Sequence, residues 1–179
     1  MSDQRELIVD DIIRLKELGL DDVEAIFNSI INERDYLEEW LPFVGKTQDI
    51  TYTHRFVENY LSSDKSDATF TIYYKSRFVG IIGFKDTDTE NKKTEIGYWL
   101  SESFQHRGII TLSCKALINH AFDVLHLNRI QLKTATGNLK SQQVAHRLGF
   151  SKEGIERDGE LHDRGFVDLV VFSLLKTDR

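Results

Sequence analysis

The chain has 179 residues, of which 40% are hydrophobic and 29% are charged, and its formal net charge is −6. These values predict one soluble globular domain spanning residues 1–179 and exclude a disordered chain. The acidic balance argues against nucleic acid as a direct ligand, because phosphate binding depends on clustered Lys and Arg. A mildly acidic surface instead favours a cationic ligand such as an amine or a basic peptide.

Targeting and metal signals are missing from the sequence. The N-terminal MSDQRELIVDD lacks the apolar run of a signal peptide, and no segment approaches the ~20 apolar residues that span a bilayer, so we expect a cytoplasmic protein without a membrane partner. The single cysteine, Cys114, cannot form an internal disulfide or a thiolate metal site with a second cysteine. The six histidines show no ligand spacing, so no metal is expected.

The first part of the chain predicts one strand followed by helices. An apolar pattern over residues 6–18 favours a strand, and the acidic pair Asp21 and Asp22 suits the start of a helix. Pro42 marks the end of a second helix. The predicted helices cover about residues 21–31, 34–40 and 49–61.

The rest of the chain alternates between the two-residue periodicity of strands and the 3.6-residue periodicity of helices. TFTIYYKSRFVGIIGF predicts a hairpin, TEIGYWL predicts a strand, and residues 110–125 return to helical spacing. A strand over RIQLKTAT, a helix that ends at Gly149 and two closing strands follow. This interleaving predicts an α/β fold in which a mixed sheet carries helices on both faces.

The stretch SFQHRGIIT connects a predicted strand to a predicted helix. This arrangement presents unpaired backbone N–H groups and the positive end of a helix dipole to one point, where an anion such as phosphate fits. Gly108 would let the backbone approach that anion, and Arg107 would add a charge. An ordinary connection, in which the glycine only relieves a turn, explains the same residues. The stretch is neither a Walker A loop nor a three-glycine dinucleotide motif.

The segment QHRGII, residues 105–110, resembles the Q/R-x-x-G-x-G/A loop of the GNAT acetyltransferase superfamily. In that family the backbone amides of this loop hold the pyrophosphate of acetyl-CoA. Every position fits except Ile110, where the family usually has Gly or Ala.

Other segments extend the resemblance over about residues 12–175. Asn138, followed by a helix and the Leu148-Gly149-Phe150 end, is similar to the second GNAT signature. YLEEWLPFV, EIGYWL, GIIT and LNRIQLKTATGN look like the RimJ/RimL branch, which acetylates protein N-termini, notably those of ribosomal proteins. The resemblance implies a GNAT-like fold, with a central, mostly antiparallel twisted sheet.

The resemblance also implies the reaction and the cofactor site. Acetyl-CoA would be the co-substrate, and an amine would attack its thioester directly in a ternary complex. Trp99 and Leu100 would pair with the pantetheine arm. A main-chain N–H of one of these two residues would donate a hydrogen bond to the oxyanion. Asn138 and Ser141 would line the thiol end. The residues expected to bind pyrophosphate are Gln105, His106, Arg107, Gly108, Ile109, Ile110 and Thr111.

Two side chains are candidates for proton transfer. Glu95 is the candidate base, because GNAT enzymes often carry a catalytic Glu on this strand; a solvent-facing strand residue is the alternative interpretation. Ser141 is the candidate acid, since Ala145 stands where many members have Tyr. Ser141 and Asn138 also suit a plain helix N-terminus.

The acceptor is an amine, and the best hypothesis from the resemblance is a protein α-amine, such as that of a ribosomal protein. Tyr36, Trp40, Phe84 and Tyr98 would wall its pocket, although aromatic residues at such spacings also suit the core. A small amine, such as a polyamine or an amino sugar, and a non-catalytic acyl-CoA sensor remain as alternatives. The resemblance also raises the expectation of a homodimer.

Overall fold

A computed structural model describes residues 5–63 and 66–179, which form a single eight-stranded sheet flanked by helices. The strands are β1 (Glu6–Ile8), β2 (Ile13–Glu17), β3 (Thr69–Tyr74), β4 (Arg77–Asp88), β5 (Lys93–Leu100), β6 (Arg129–Ala135), β7 (Ser151–His162) and β8 (Gly165–Leu175). The helices are α1 (Val23–Asn32), α2 (Arg34–Glu38), α3 (Ile50–Ser62), α4 (Ile109–Asn119) and α5 (Leu139–Arg147). The strand order is β1-β2-β3-β4-β5-β6-β8-β7.

The predicted mixed, mostly antiparallel sheet with helices on both faces is confirmed. One layer of the core lies between the sheet and α4 and α5, and includes Phe70, Phe122 and Phe172. The second layer lies on the opposite face, where Ile26 and Ile30 of α1 pack with α3. No helix among the described residues has the length and apolarity to cross a bilayer.

The N-terminal strand differs from the prediction. The single strand expected over residues 6–18 is two antiparallel strands, β1 and β2, joined by a turn. The Asp10 carboxylate accepts hydrogen bonds from the amides of Ile12 (2.8 Å) and Ile13 (2.7 Å). Such an Asx turn offers the backbone an alternative to the ladder and breaks the strand in two.

A wedge between β5 and β6 is the feature that positions the site. These strands are the parallel neighbours of the sheet, and they pair at Lys93↔Arg129, Thr94↔Ile130 and Glu95↔Gln131. Beyond Glu95 they separate, because β5 stays paired with β4 up to Leu100 while β6 stays paired with β8 up to Ala135. The backbone edges of both strands therefore face an opening.

Both helices that follow the wedge begin at its mouth. Parallel strands end at the same edge of a sheet, so α4 after β5 and α5 after β6 place two positive helix ends side by side. Helix α4 starts at Ile109 and turns into a π-helical segment at His120–Val124, where one helix over residues 110–125 was predicted. Asn138 caps α5, because its side chain accepts a hydrogen bond from the Ser141 amide (3.1 Å).

Candidate active site

A cleft of about 790 Å³ opens at the wedge. It is bounded by α2, by the loop before α4, by α5, and by residues of β4, β5, β6, β7 and β8. Of the residues predicted for the site, the cleft is lined by Tyr36, Trp40, Glu95, Tyr98, Trp99, Leu100, Gln105, His106, Arg107, Gly108, Ile109, Ile110, Thr111 and Asn138.

The loop before α4 presents backbone to the cleft. Gly108 has φ 74°, a left-handed conformation that favours glycine, and its carbonyl accepts the first helical hydrogen bond from Leu112 (3.0 Å). The N–H groups of residues 109–111 have no partner inside the helix. Ile109 and Ile110 are both buried in the core, and both also contribute atoms to the wall of the cleft. The loop can therefore hold an anion by its backbone.

A chain of side chains spans the cleft above this loop. Gln105 donates a hydrogen bond to the Tyr36 hydroxyl and accepts one from Lys140 Nζ (2.8 Å). The Lys140 ammonium also lies 5.8 Å from the centre of the Tyr36 ring. Burial raises the pKa of Tyr36, which keeps its hydroxyl protonated. Sequence reasoning missed Lys140, although a cation in the first turn of a helix after Asn138 was the available signal.

Glu95 lies at the narrow end of the wedge and is only 5% exposed. Lys85 Nζ approaches one of its carboxylate oxygens at 2.7 Å, and Lys133 Nζ approaches the other at 4.0 Å. Lys133 also pairs with Glu156 on β7 (2.8 Å). These four residues form a row of alternating charges, and the two lysines offset the cost of burying the Glu95 carboxylate.

Tyr98 lines the cleft, and its buried hydroxyl has no hydrogen-bond partner among the described residues. Burial raises the pKa of Tyr98, and the Ser141 side chain beside it opposes that rise. The two hydroxyls are nevertheless not aligned for a hydrogen bond, and no other described residue supplies one to Tyr98. Ser141 is thus next to Tyr98, although it is not itself among the residues that line the cleft. A buried hydroxyl without a partner in the protein can form a hydrogen bond with a bound ligand.

Glu160 on β7 is a cleft residue that sequence reasoning missed. One of its carboxylate oxygens lies 2.8 Å from Nε2 of His162, and the His162 side chain is only 8% exposed. The two residues are two positions apart on a strand, so they share a face. The sequence carries this spacing, but nothing in it shows that β7 reaches the cleft.

The acceptor side of the cleft is largely apolar. Trp40 and Tyr36 line it, together with Leu41 of the segment after α2. Phe84, also expected at the pocket wall, lies elsewhere: it is 3% exposed and stacks on His120 in the core. Because successive side chains of β4 point to opposite faces of the sheet, Phe84 lies on the face covered by α4, away from the acceptor side.

Metal ligands do not gather around the cleft. Within residues 5–63 and 66–179, no three His, Cys, Asp or Glu side chains are close enough to hold a metal ion. Cys114 is fully inside the core, and burial raises the pKa of its thiol.

Comparison with known proteins gives a consistent result. The family model described as "Acetyltransferase (GNAT) domain" matches residues 13–151. YdaF of Bacillus subtilis (strain 168), provisionally named a ribosomal N-acetyltransferase, is 35% identical over 173 residues, which cover 95% of this chain and 94% of the relative. The ribosomal-protein-serine acetyltransferase of Escherichia coli (strain K12) is 30% identical over 170 residues, with 92% and 93% covered.

A solved structure shares the architecture. The microcin C7 self-immunity acetyltransferase MccE, crystallised with acetyl-CoA and AMP, superposes with a TM-score of 0.89 at 27% identity, over 93% of this chain and 94% of that one.

The cleft of this chain fits acetyl-CoA. The N–H groups of residues 109–111 and the Arg107 side chain would hold the pyrophosphate, and the open edges of β5 and β6 would pair with the amides of the pantetheine arm. Tyr98, with its unpaired hydroxyl, lines the same cleft. The chain belongs to the GNAT acetyltransferase family, and it is an acetyl-CoA-dependent N-acetyltransferase.

Proposed function

We propose that this enzyme acetylates the N-terminal α-amine of a protein, of the ribosomal-protein type. The names of the two curated relatives support this acceptor class. The observation that carries the proposal is the shape of the cleft, which joins an anion-binding end at α4 and α5 to an apolar end with a carboxylate at Glu160. An amine at the end of an extended peptide suits that second end, because its ammonium group would meet the carboxylate.

Glu160 and His162 are the residues we propose for removing the proton from the acceptor ammonium. Glu160 uses one oxygen for His162, and its side chain stays 37% exposed, so the carboxylate can still meet an incoming amine. His162 can take part in the proton transfer, because its Nε2 lies within hydrogen-bond distance of the Glu160 carboxylate.

The sequence-based hypothesis of Glu95 as the base remains a prediction. Its two carboxylate oxygens face Lys85 and Lys133, an arrangement that leaves less room for an amine than Glu160 does. We propose that Glu95 instead holds Lys85 and Lys133 in the row of alternating charges at the narrow end of the wedge. The variants Glu95→Gln and Glu160→Gln, described in the Discussion, show which of the two carboxylates is the base.

On the leaving-group side, we propose that Tyr98, which lies beside Ser141, donates a hydrogen bond to the departing sulfur. Acetyl-CoA supplies the activated acetyl thioester, whose C–S bond breaks as the amine nitrogen bonds the carbonyl carbon. Burial raises the pKa of Tyr98, so its hydroxyl stays protonated and can donate a hydrogen bond to the thiolate sulfur. No covalent enzyme intermediate is needed.

The test is release of CoA thiol from acetyl-CoA, with N-terminal peptides of ribosomal proteins, the same peptides with a blocked N-terminus, and small amines as acceptors. We expect turnover with free peptides, none with blocked peptides, and acetate mapped to the α-nitrogen by mass spectrometry. Turnover with small amines alone would contradict the acceptor class. Binding of acetyl-CoA without turnover on any acceptor would favour the sensor alternative.

A further inference from the structure

Three side chains from different elements form one hydrogen-bonded link across the cleft. We call it the Lys140 link, and it consists of Lys140 of α5, Gln105 of the loop before α4 and Tyr36 of α2. Lys140 Nζ donates to Gln105 Oε1 (2.8 Å), and Gln105 Nε2 donates to the hydroxyl oxygen of Tyr36. The link therefore joins the mouth of the wedge to the helix on the acceptor side of the cleft.

Lys140 decides which way the Gln105 amide faces. An ammonium group has three donors and no acceptor, so only the oxygen of the amide can face it. The amide nitrogen of Gln105 then faces Tyr36 and must donate to the hydroxyl oxygen. Without the ammonium group, the amide can turn over, and its oxygen can then accept the Tyr36 proton.

The Tyr36 proton is consequently left for a bound molecule. Burial raises the pKa of Tyr36, so the hydroxyl keeps its proton. Among residues 5–63 and 66–179, the bond from Gln105 is the only hydrogen bond that this hydroxyl makes. Because its oxygen is the acceptor in that bond, the hydroxyl directs its own hydrogen elsewhere. Tyr36 thus offers one free donor in a residue that lines the cleft.

The stability of α5 does not explain the presence of Lys140. The residue lies in the first turn of α5, where the positive end of the helix dipole disfavours a cation. No carboxylate in the part of the chain that the structure describes forms an ion pair with it. Its ammonium group instead contacts Gln105 and lies 5.8 Å from the centre of the Tyr36 ring. Both contacts belong to the link.

We propose that Lys140 is a positioning residue for the acceptor: acting through Gln105, it directs the Tyr36 hydroxyl to donate a hydrogen bond to the carbonyl oxygen of the acceptor's first residue. A protein N-terminus offers this oxygen beside its α-amine, because both groups are attached to one α-carbon. A polyamine has no carbonyl, so the contact favours peptides over such amines. The inference rests on the proposed acetylation of a protein α-amine and adds the residues that recognise the peptide backbone.

The test compares two acceptor peptides with the full-length enzyme in the thiol-release assay. The peptides share one sequence, but in one of them a trans alkene replaces the first peptide bond and so removes the carbonyl oxygen. We expect the wild type to use the amide peptide with a kcat/KM about tenfold higher than that of the alkene peptide, as for the loss of one hydrogen bond. Lys140→Met and Tyr36→Phe should each reduce this ratio to about twofold, mainly by raising the KM of the amide peptide.

Control variants separate the link from a general effect of charge. Lys140→Arg keeps a cation that only donates, so it should retain most of the ratio. Lys115→Met, the same change on the exposed side of α4 outside the cleft, should leave the ratio unaltered. The double variant Lys140→Met/Tyr36→Phe should have the same ratio as Tyr36→Phe alone, because Lys140 acts through Tyr36.

Two outcomes would overturn this inference alone. Equal use of both peptides by the wild type would show that no group of the enzyme recognises the first carbonyl. A Lys140→Met enzyme that keeps the wild-type ratio, while its acetyl-CoA Kd rises, would assign Lys140 to the cofactor instead. Absence of turnover with either peptide would be a different result, because it would remove the proposed acceptor class together with the inference.

Discussion

The two ends of the cleft are built in different ways. The cofactor end is made largely from one continuous segment, residues 105–111, and it uses backbone N–H groups held by Gly108. The acceptor end takes single side chains from distant elements, such as Tyr36 of α2 and Glu160 of β7. A site made of backbone is therefore visible in a short motif, whereas a site assembled from scattered side chains appears only when the chain has folded.

Replacing Gly108 should have the largest effect on the cofactor end. Gly108→Asp puts a carboxylate beside the anion site and strains a backbone with φ 74°, so the acetyl-CoA Kd should rise several hundredfold, about 3.5 kcal/mol. Calorimetric titration measures this change. Gly149→Asp is the matched control, since Gly149 also has a positive φ, 82°, and open space around it but lies outside the cleft. Equal loss in both variants would mean that strain alone weakens binding.

The acceptor end should depend most on Glu160. Glu160→Gln removes the proposed proton acceptor, so kcat should fall about 100-fold while the acetyl-CoA Kd is unchanged. Steady-state kinetics with a peptide acceptor measures this, and Glu153→Gln, on the same strand outside the cleft, should leave kcat unaltered. If Glu95→Gln shows the large loss and Glu160→Gln does not, the base is Glu95, as the sequence predicted.

Tyr98 lies where the two ends meet, and its hydroxyl should act on activity and stability in opposite directions. Tyr98→Phe removes an unpaired buried hydroxyl, so the free energy of unfolding should rise by up to about 1 kcal/mol, while kcat/KM falls about tenfold. Tyr73→Phe provides the contrast, because the Tyr73 hydroxyl donates to the buried Asp22 carboxylate at 3.0 Å.

That control variant should lose stability and keep its activity. Urea unfolding and the thiol assay measure the two quantities for each variant. A Tyr98→Phe enzyme with full activity would remove Tyr98 from the leaving-group side.

The smallest effect should come from an ion pair away from both ends. Arg129 holds the pKa of Glu153 at about 2, below its usual 4.5, and the Glu153 side chain is 40% exposed. Glu153→Gln should therefore cost only about 1 kcal/mol of unfolding free energy near neutral pH. A carboxylate with a lowered pKa stabilises the fold above its unfolded pKa, so the difference from wild type should shrink as the pH falls from 4.5 towards 2.

Urea unfolding of both proteins near neutral pH and at about pH 3 measures this difference. A difference that stays constant through the acidic range would mean that Glu153 contributes through packing and not through its charge.

Sequence periodicity predicted the helices and the central strands, because burial on one face repeats every two or every 3.6 residues. It did not predict the turn at Asp10, since a local side-chain hydrogen bond there overrides an apolar pattern. It also did not show which layer of the core Phe84 enters, because an aromatic residue on a buried strand carries no sign of which face of the sheet it occupies.

The sequence by itself determined the loop that we propose to bind the anion, since Gly108 and the helix after it are neighbours in the chain. Only the tertiary structure decided the rest of the cleft. The separation of β5 from β6 depends on pairing with β4 and β8 on their outer sides. The presence of Glu160 and Tyr36 in one cleft depends on contacts between residues far apart in the sequence, which no local pattern records.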